Sequence, residues 1–406
     1  MGGKSQVVLV AMLGLATAGC GFKKITSTSA CFAYIVTSDT HTCARKTDST
    51  LWCWGGNQYG QLGIGNDPSP RPEPTFVDTL GSTAARIYLP TAIGMSSTRT
   101  AFTCSRRSDS TLWCWGQNQD GQLGTGDMDA RTRPTRIAPE TFAGDVHSVA
   151  AGAGFACARR NDGTVWCWGQ NEQGQLGLND TARRLEPAQV APEIFAGDAT
   201  QIAAGGAHAC ALKADSTLWC WGHNQFGQLG TVDTRPHRVP TRVSGFGNDV
   251  ALVFAGADHT CAVKTDASLW CWGQNQYGQL GLGDTRSRNA PARVDFTDLG
   301  TGVTVVSGGA THACAVKTDG SLWCWGGNQF GQLGRGDRQQ SADPVQVRLP
   351  SGVTIAQVYA GGTHTCARSV QNALYCWGAN EYGQLGARPD ASGAVLEPRL
   401  AASACP

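Results

Sequence analysis

The stretch HTCARKTDSTLWCWGGNQYGQLG, residues 41–63, recurs six more times along the chain. It returns as FTCSRRSDSTLWCWGQNQDGQLG at 102–124, FACARRNDGTVWCWGQNEQGQLG at 155–177 and HACALKADSTLWCWGHNQFGQLG at 208–230, and again at 259–281, 312–334 and 364–386. The leading cysteines are Cys43, Cys104, Cys157, Cys210, Cys261, Cys314 and Cys366, spaced by 51–53 residues except for one step of 61. A chain of 406 residues would ordinarily suggest two or three domains, but a repeat that fills almost everything after residue 31 argues for one body.

Each unit resolves into four short strands. A β-branched stretch ending in small residues, such as Val303–Gly309, precedes the His-x-Cys strand; the Leu-Trp-Cys-Trp strand and a Pro-x-x-Val strand such as Pro240–Val243 follow. No stretch sustains a 3.6-residue apolar period between helix caps. Four strands at a period near 50 residues predict an all-β chain, a seven-bladed β-propeller of four-stranded blades closed into a ring. The repeats are expected at about 32–77, 87–137, 147–190, 200–243, 251–294, 303–347 and 354–400.

The two cysteines of each unit stand ten positions apart. A hairpin with a three-residue loop, Thr47-Asp48-Ser49 in the first unit and Asn161-Asp162-Gly163 in the third, sets them directly opposite one another. Seven disulfides are therefore expected: Cys43–Cys53, Cys104–Cys114, Cys157–Cys167, Cys210–Cys220, Cys261–Cys271, Cys314–Cys324 and Cys366–Cys376. Cys31 and Cys405 flank the repeats, and a bridge between them would clasp the ends of the ring.

The run G-x-x-H-x-C-A followed by W-G-x-N-x-x-G-Q-L-G, as in Gly309–Ala315 with Trp325–Gly334, resembles the repeat of the regulator of chromosome condensation family. The resemblance implies a seven-bladed propeller and leaves function open. The family includes an exchange factor for a small GTPase, a plant ultraviolet-B photoreceptor and a secreted inhibitor of β-lactamases.

Composition narrows the functional classes. Lys and Arg number 32 against 31 Asp and Glu, and charged residues are 16% of the chain, so nothing electrostatic points to nucleic acid. The start, residues 1–19, has one basic residue, an apolar run from Val7 to Ala18 and small residues before Cys20, the pattern of an export signal. Ala18-Gly19-Cys20 resembles a bacterial lipobox, and lipidation of Cys20 leaves an even number of cysteines among the 17. Ordinary cleavage after Ala18, releasing a secreted protein, is the alternative. With Cys20 lipidated, residues 20–31 form a short tether, and its ten residues from 21 to 30 reach about 35 Å. The expected place is the cell envelope, on the periplasmic or outer side.

His41-x-Cys43 with Cys53 offers three zinc-ligand types, but the repeats argue against a metal. His41, His208, His259, His312 and His364 share a position that Phe102 and Phe155 fill in units two and three. A position that accepts Phe is a packing position, and the imidazole is expected between blades, donating to a backbone carbonyl. No cofactor is expected. The Gln of Gly-Gln-Leu-Gly reads as a buried amide that satisfies loop backbone groups.

Positions that differ between units are the candidates for binding. Before Gly-Gln, five units carry an aromatic: Tyr59, Phe226, Tyr277, Phe330 and Tyr382. Exposed on one rim they would anchor a partner; half-buried loop packing is the other reading. Arginines such as Arg131, Arg184, Arg288 and Arg335 precede the Pro-x-x-Val strands, and neighbouring aspartates are expected to pair with them. Polar groups recur by sevenfold rule rather than converging as unlike residues, so a non-catalytic, monomeric binding module is expected. Its partner would be an unidentified protein, with a glycan and an extracytoplasmic enzyme under inhibition as the alternatives.

Overall fold

The computed structural model describes residues 31–90, 101–295 and 302–402. Seven four-stranded antiparallel sheets follow one another along the chain. The first contains β1 (Phe32–Thr37), β2 (His41–Lys46), β3 (Leu51–Gly55) and β4 (Arg71–Phe76), in that spatial order. The other blades span residues 84–136, 146–189, 199–242, 250–293, 303–346 and 355–402. Inner strands of successive blades touch all the way round, including Ile355–Ala360 against β1, so the ring is closed. The sheets are all-β as expected; two short helical turns, Asp78–Leu80 and Pro139–Phe142, sit in connections between blades.

Alternation explains each blade. Along β3, Trp52 and Trp54 point to one face and Cys53 to the other. The hairpin between β2 and β3 turns on a left-handed third loop residue, Ser49 at φ 64°, with Gly163 at φ 78° in blade 3. Asp48 Oδ1 accepts from the Thr50 amide, and Thr50 Oγ1 accepts from Trp52 Nε1. The Asp-x-Thr-x-Trp phrase thus fixes the turn and the outer indole together. Cys43 and Cys53 are register partners, as are all seven pairs, with Cα atoms 4.0–4.1 Å apart and a disulfide between them. Cys31 is also disulfide-bonded. Cys405, its expected partner, and Cys20 lie outside the described residues.

Blades are joined by one repeated seam. The second indole is fully buried, and its Nε1 donates to the backbone carbonyl of the preceding blade's Gly-Gln-Leu-Gly glutamine: Trp115 to Gln61, Trp168 to Gln122, Trp221 to Gln175, each at 2.9 Å. The closing seam is the same, with Trp54 Nε1 donating to Gln384 O at 2.9 Å. Each blade is a contiguous segment, so the ring closes through this seam without an exchanged strand. The last glycine of the phrase makes it feasible: a Cβ on Gly63 would lie 2.6 Å from Trp115 Nε1. The connections add a plug that periodicity did not reveal. Phe142, Phe195 and Phe246 pack on Trp168, Trp221 and Trp272 of the following blade, with ring centroids 5.5–6.0 Å apart.

Candidate functional site

Strand direction gives the ring two ends. At one lie the loops between first and second strands and the Gly-Gln-Leu-Gly loops between third and fourth; at the other lie the three-residue hairpins and the connections between blades. The first is the loop end and the second the hairpin end.

Four of the five buried seam imidazoles are bonded across the seams. His41 Nε2 lies 2.9 Å from Thr103 Oγ1 of the next blade, and that hydroxyl donates to Gln61 O. His208 meets Thr260, His312 meets Thr365 and His364 meets Thr42 in the same way. Because each threonine hydrogen goes to a glutamine carbonyl, the imidazole Nε2 is the donor. The partner is thus a threonine hydroxyl and not the backbone carbonyl that the sequence suggested; the carbonyl is one bond further on. Burial pushes His41, His208, His312 and His364 down to about 3 and His259 to about 4, so the rings are neutral at ordinary pH. Gly205 leaves space for the His208 ring, which a Cβ would approach to 2.2 Å. With every repeat cysteine oxidised, no thiolate is left beside these rings to join a zinc ligand set.

The loop end carries a cavity of about 740 Å³ over blades 5, 6, 7 and 1. Tyr277, Phe330 and Tyr382 come to it from three consecutive blades, with Asp39, Arg338 and Glu381 as its charged members. Three of the five expected aromatics thus meet at one place; Tyr59 and Phe226 do not line it. All five are half-buried, each following an exposed Gln or Glu. Their loops are rigid for a local reason. The side chain of the phrase's glutamine accepts the amide of the variable residue, Gln279 from Tyr277, Gln332 from Phe330 and Gln384 from Tyr382. Asn275, Asn328 and Asn380 accept the amides of the following leucines. The invariant amides hold the turn, and the variable residue between them is free to change without altering the backbone.

Several of the arginines before the outer strands pair with aspartates. Arg131 meets Asp127 at 2.5 Å, Arg184 meets Asp180 at 2.6 Å and Arg288 meets Asp284 at 2.8 Å. Arg335 meets Asp337 at 2.9 Å, so the Arg-Gly-Asp tripeptide is one of these pairs.

Comparison with known proteins agrees with this architecture. Residues 100–404 match the RCC1-like domain, and residues 32–61 and 48–88 match the regulator of chromosome condensation (RCC1) repeat. The chain is 33% identical over 349 residues to the ultraviolet-B receptor UVR8 of Arabidopsis thaliana, covering 85% of this chain and 76% of the receptor. It is 29% identical over 370 residues to the human E3 ubiquitin-protein ligase HERC2, covering 90% of this chain but 7% of the ligase. Among solved structures, yeast RCC1 (Prp20) bound to Kap60 superposes with a TM-score of 0.75 at 21% identity, covering 96% of this chain and 91% of that one.

Proposed function

The chain belongs to the regulator of chromosome condensation repeat family, and we propose that it is a non-catalytic binding module, exported and lipid-anchored, that holds a partner protein at its loop end. Propellers of this family act in protein–protein interaction or regulation. The observation that carries the reading is the convergence of Tyr277, Phe330 and Tyr382 on one cavity. Large aromatic side chains on a rigid rim supply contact area at little entropic cost. The seven bridged hairpins and the amide-locked loops hold that rim in one shape before a partner arrives.

Export rests on the signal-like residues 1–19, with Cys20 as the lipid acceptor. The oxidised repeat cysteines suit an extracytoplasmic compartment. The non-catalytic reading rests on the five seam imidazoles, which are buried and neutral, four of them bonded to a threonine of the next blade.

Crosslinking in intact cells tests the reading. Changing Tyr277, Phe330 and Tyr382 together to Ala should remove a specifically captured protein, and changing Tyr59 and Phe226 should retain it. The same captured set in wild type and the triple variant would reject the cavity as the contact surface. Mass spectrometry of the mature N-terminus tests the anchor: an acylated Cys20 is expected, and an unmodified terminus after Ala18 would favour a diffusible inhibitor.

A further inference from the structure

The hairpin end carries a second feature, independent of the loop-end cavity. The residue two past each leading cysteine is Arg368, Arg45, Arg106 and Arg159 in blades 7, 1, 2 and 3, and Leu212, Val263 and Val316 in blades 4, 5 and 6. Blades 7, 1, 2 and 3 are consecutive around the ring, so four guanidinium groups gather on one half of it. Register places them opposite Gln357, Tyr34, Arg86 and Ser148 of the inner strands, each beside a bulge. Arg86 adds a fifth cation, with its guanidinium 5.6 Å from the Tyr34 ring centroid. Tyr34 packs edge-on against Tyr359 at 6.0 Å. Tyr34 and Tyr88 also wall the axial cavity of about 320 Å³.

Among the described residues this charge has no acidic partner. Among the described residues none of the five arginines makes an ion pair. Arg106 reaches Ser110 Oγ and Val146 O, Arg159 reaches Ala199 O, and Arg368 reaches Gln357 Oε1 and Asn372 Oδ1. The Nε atoms of Arg45, Arg106 and Arg159 are buried without a hydrogen-bond partner, and Arg159 is only 9% exposed. Asp145, Asp198 and Asp249, the carboxylates at the starts of nearby inner strands, are engaged by Arg160, Lys213 and Lys264. Burial first, then the charges of Arg159, Arg106 and Arg86, lower the pKa of His147 on the adjoining inner strand.

We propose that this half-ring is an anion site that takes a compact oligoanion carrying phosphate groups, at the hairpin end of the ring. Guanidinium forks match tetrahedral oxyanions in geometry, and partly buried like charges lower stability until an anion joins them. Arg86 is exposed, which gives the ligand a way in. The compactness follows from the setting, since the arginines occupy only blades 7, 1, 2 and 3, on one side of the axis.

Calorimetric titration of the full mature chain with inorganic tripolyphosphate at low salt tests the proposal. One site is expected, with weaker binding of inorganic phosphate and affinity that falls as salt rises. Arg86→Gln and Arg45→Gln should each weaken tripolyphosphate binding about tenfold or more. Arg133→Gln, whose side chain is exposed and pairs with Asp78 at 2.9 Å, should leave it unchanged. Unfolding transitions of the variants, measured beside the wild type, separate loss of binding from loss of fold. Absence of binding at millimolar tripolyphosphate would overturn the proposal, as would equal loss in Arg133→Gln. Binding to vesicles of anionic phospholipid with none to tripolyphosphate would overturn it too.

Discussion

His312 Nε2 lies 2.9 Å from Thr365 Oγ1 across the seam between blades 6 and 7, and one seam earlier the same register sets His259 against Ala313. The pairing holds around the ring. Where the following blade has Thr, the ring residue is His; Phe102 and Phe155 are followed by Ala156 and Ala209. His259 is the exception, and both of its buried ring nitrogens lack a hydrogen-bond partner. Ala313→Thr would supply the missing hydroxyl. It is expected to stabilise the fold by about 1 kcal/mol, read as a shift in denaturant midpoint at unchanged slope. No shift would show that the His259 site is already satisfied.

The imidazoles also set a pH dependence. Their folded pKa values, about 3 to 4, lie below the ordinary value of 6.5. The unfolded chain therefore binds more protons than the folded one between those limits. Stability is fully present above pH 6.5 and is lost as pH falls toward the folded values, by about 2 kcal/mol per ring at pH 5. Replacing one pair by the alternative the chain already uses, His208→Phe with Thr260→Ala, should lower the slope of stability against pH by about one proton. An unaltered slope would mean that His208 is not buried in its neutral form.

Each disulfide closes a short loop within a hairpin. Changing Cys210 and Cys220 together to Ala is expected to cost up to about 2.7 kcal/mol in the chain-entropy account, measured by chemical unfolding without reductant. The same unfolded, unreduced chain should show almost no alkylatable thiol. Several free thiols among the fourteen repeat cysteines would contradict the bridges described.

The seam leaves no space beneath the buried indole. Gly63→Ala adds a methyl group 2.6 Å from Trp115 Nε1 at a backbone φ of 73°. A loss of about 1–3 kcal/mol is expected, seen as a lower thermal midpoint. The equivalent change at Gly386 meets Trp54 Nε1 at 3.4 Å and should be milder. Equal effects at the two glycines would show that backbone strain, not contact with the indole, sets the cost.

Much of this is legible in the sequence. Alternation puts the two aromatic rings that flank the second cysteine of each unit on one side and the sulfur on the other, and the ten-residue spacing aligns the cysteines across a three-residue turn. These are local facts, fixed by a two-residue strand period and by turn geometry. The repeat itself implied the ring, because one unit cannot bury both faces of its sheet without neighbours.

Other features needed the folded ring. That His41 meets a threonine joins residues 62 positions apart, and the indole-to-glutamine bonds join residues 44 to 54 positions apart within the chain and 330 at its closure. The arginine half-ring spans blades from both ends of the chain, and only closure makes Arg368 and Arg45 members of neighbouring blades. The five aromatics looked equivalent in sequence, yet Tyr277, Phe330 and Tyr382 share a cavity and Tyr59 and Phe226 lie apart from it. A strand's own period decides which way a side chain points, whereas the order of blades around the axis decides what it meets there.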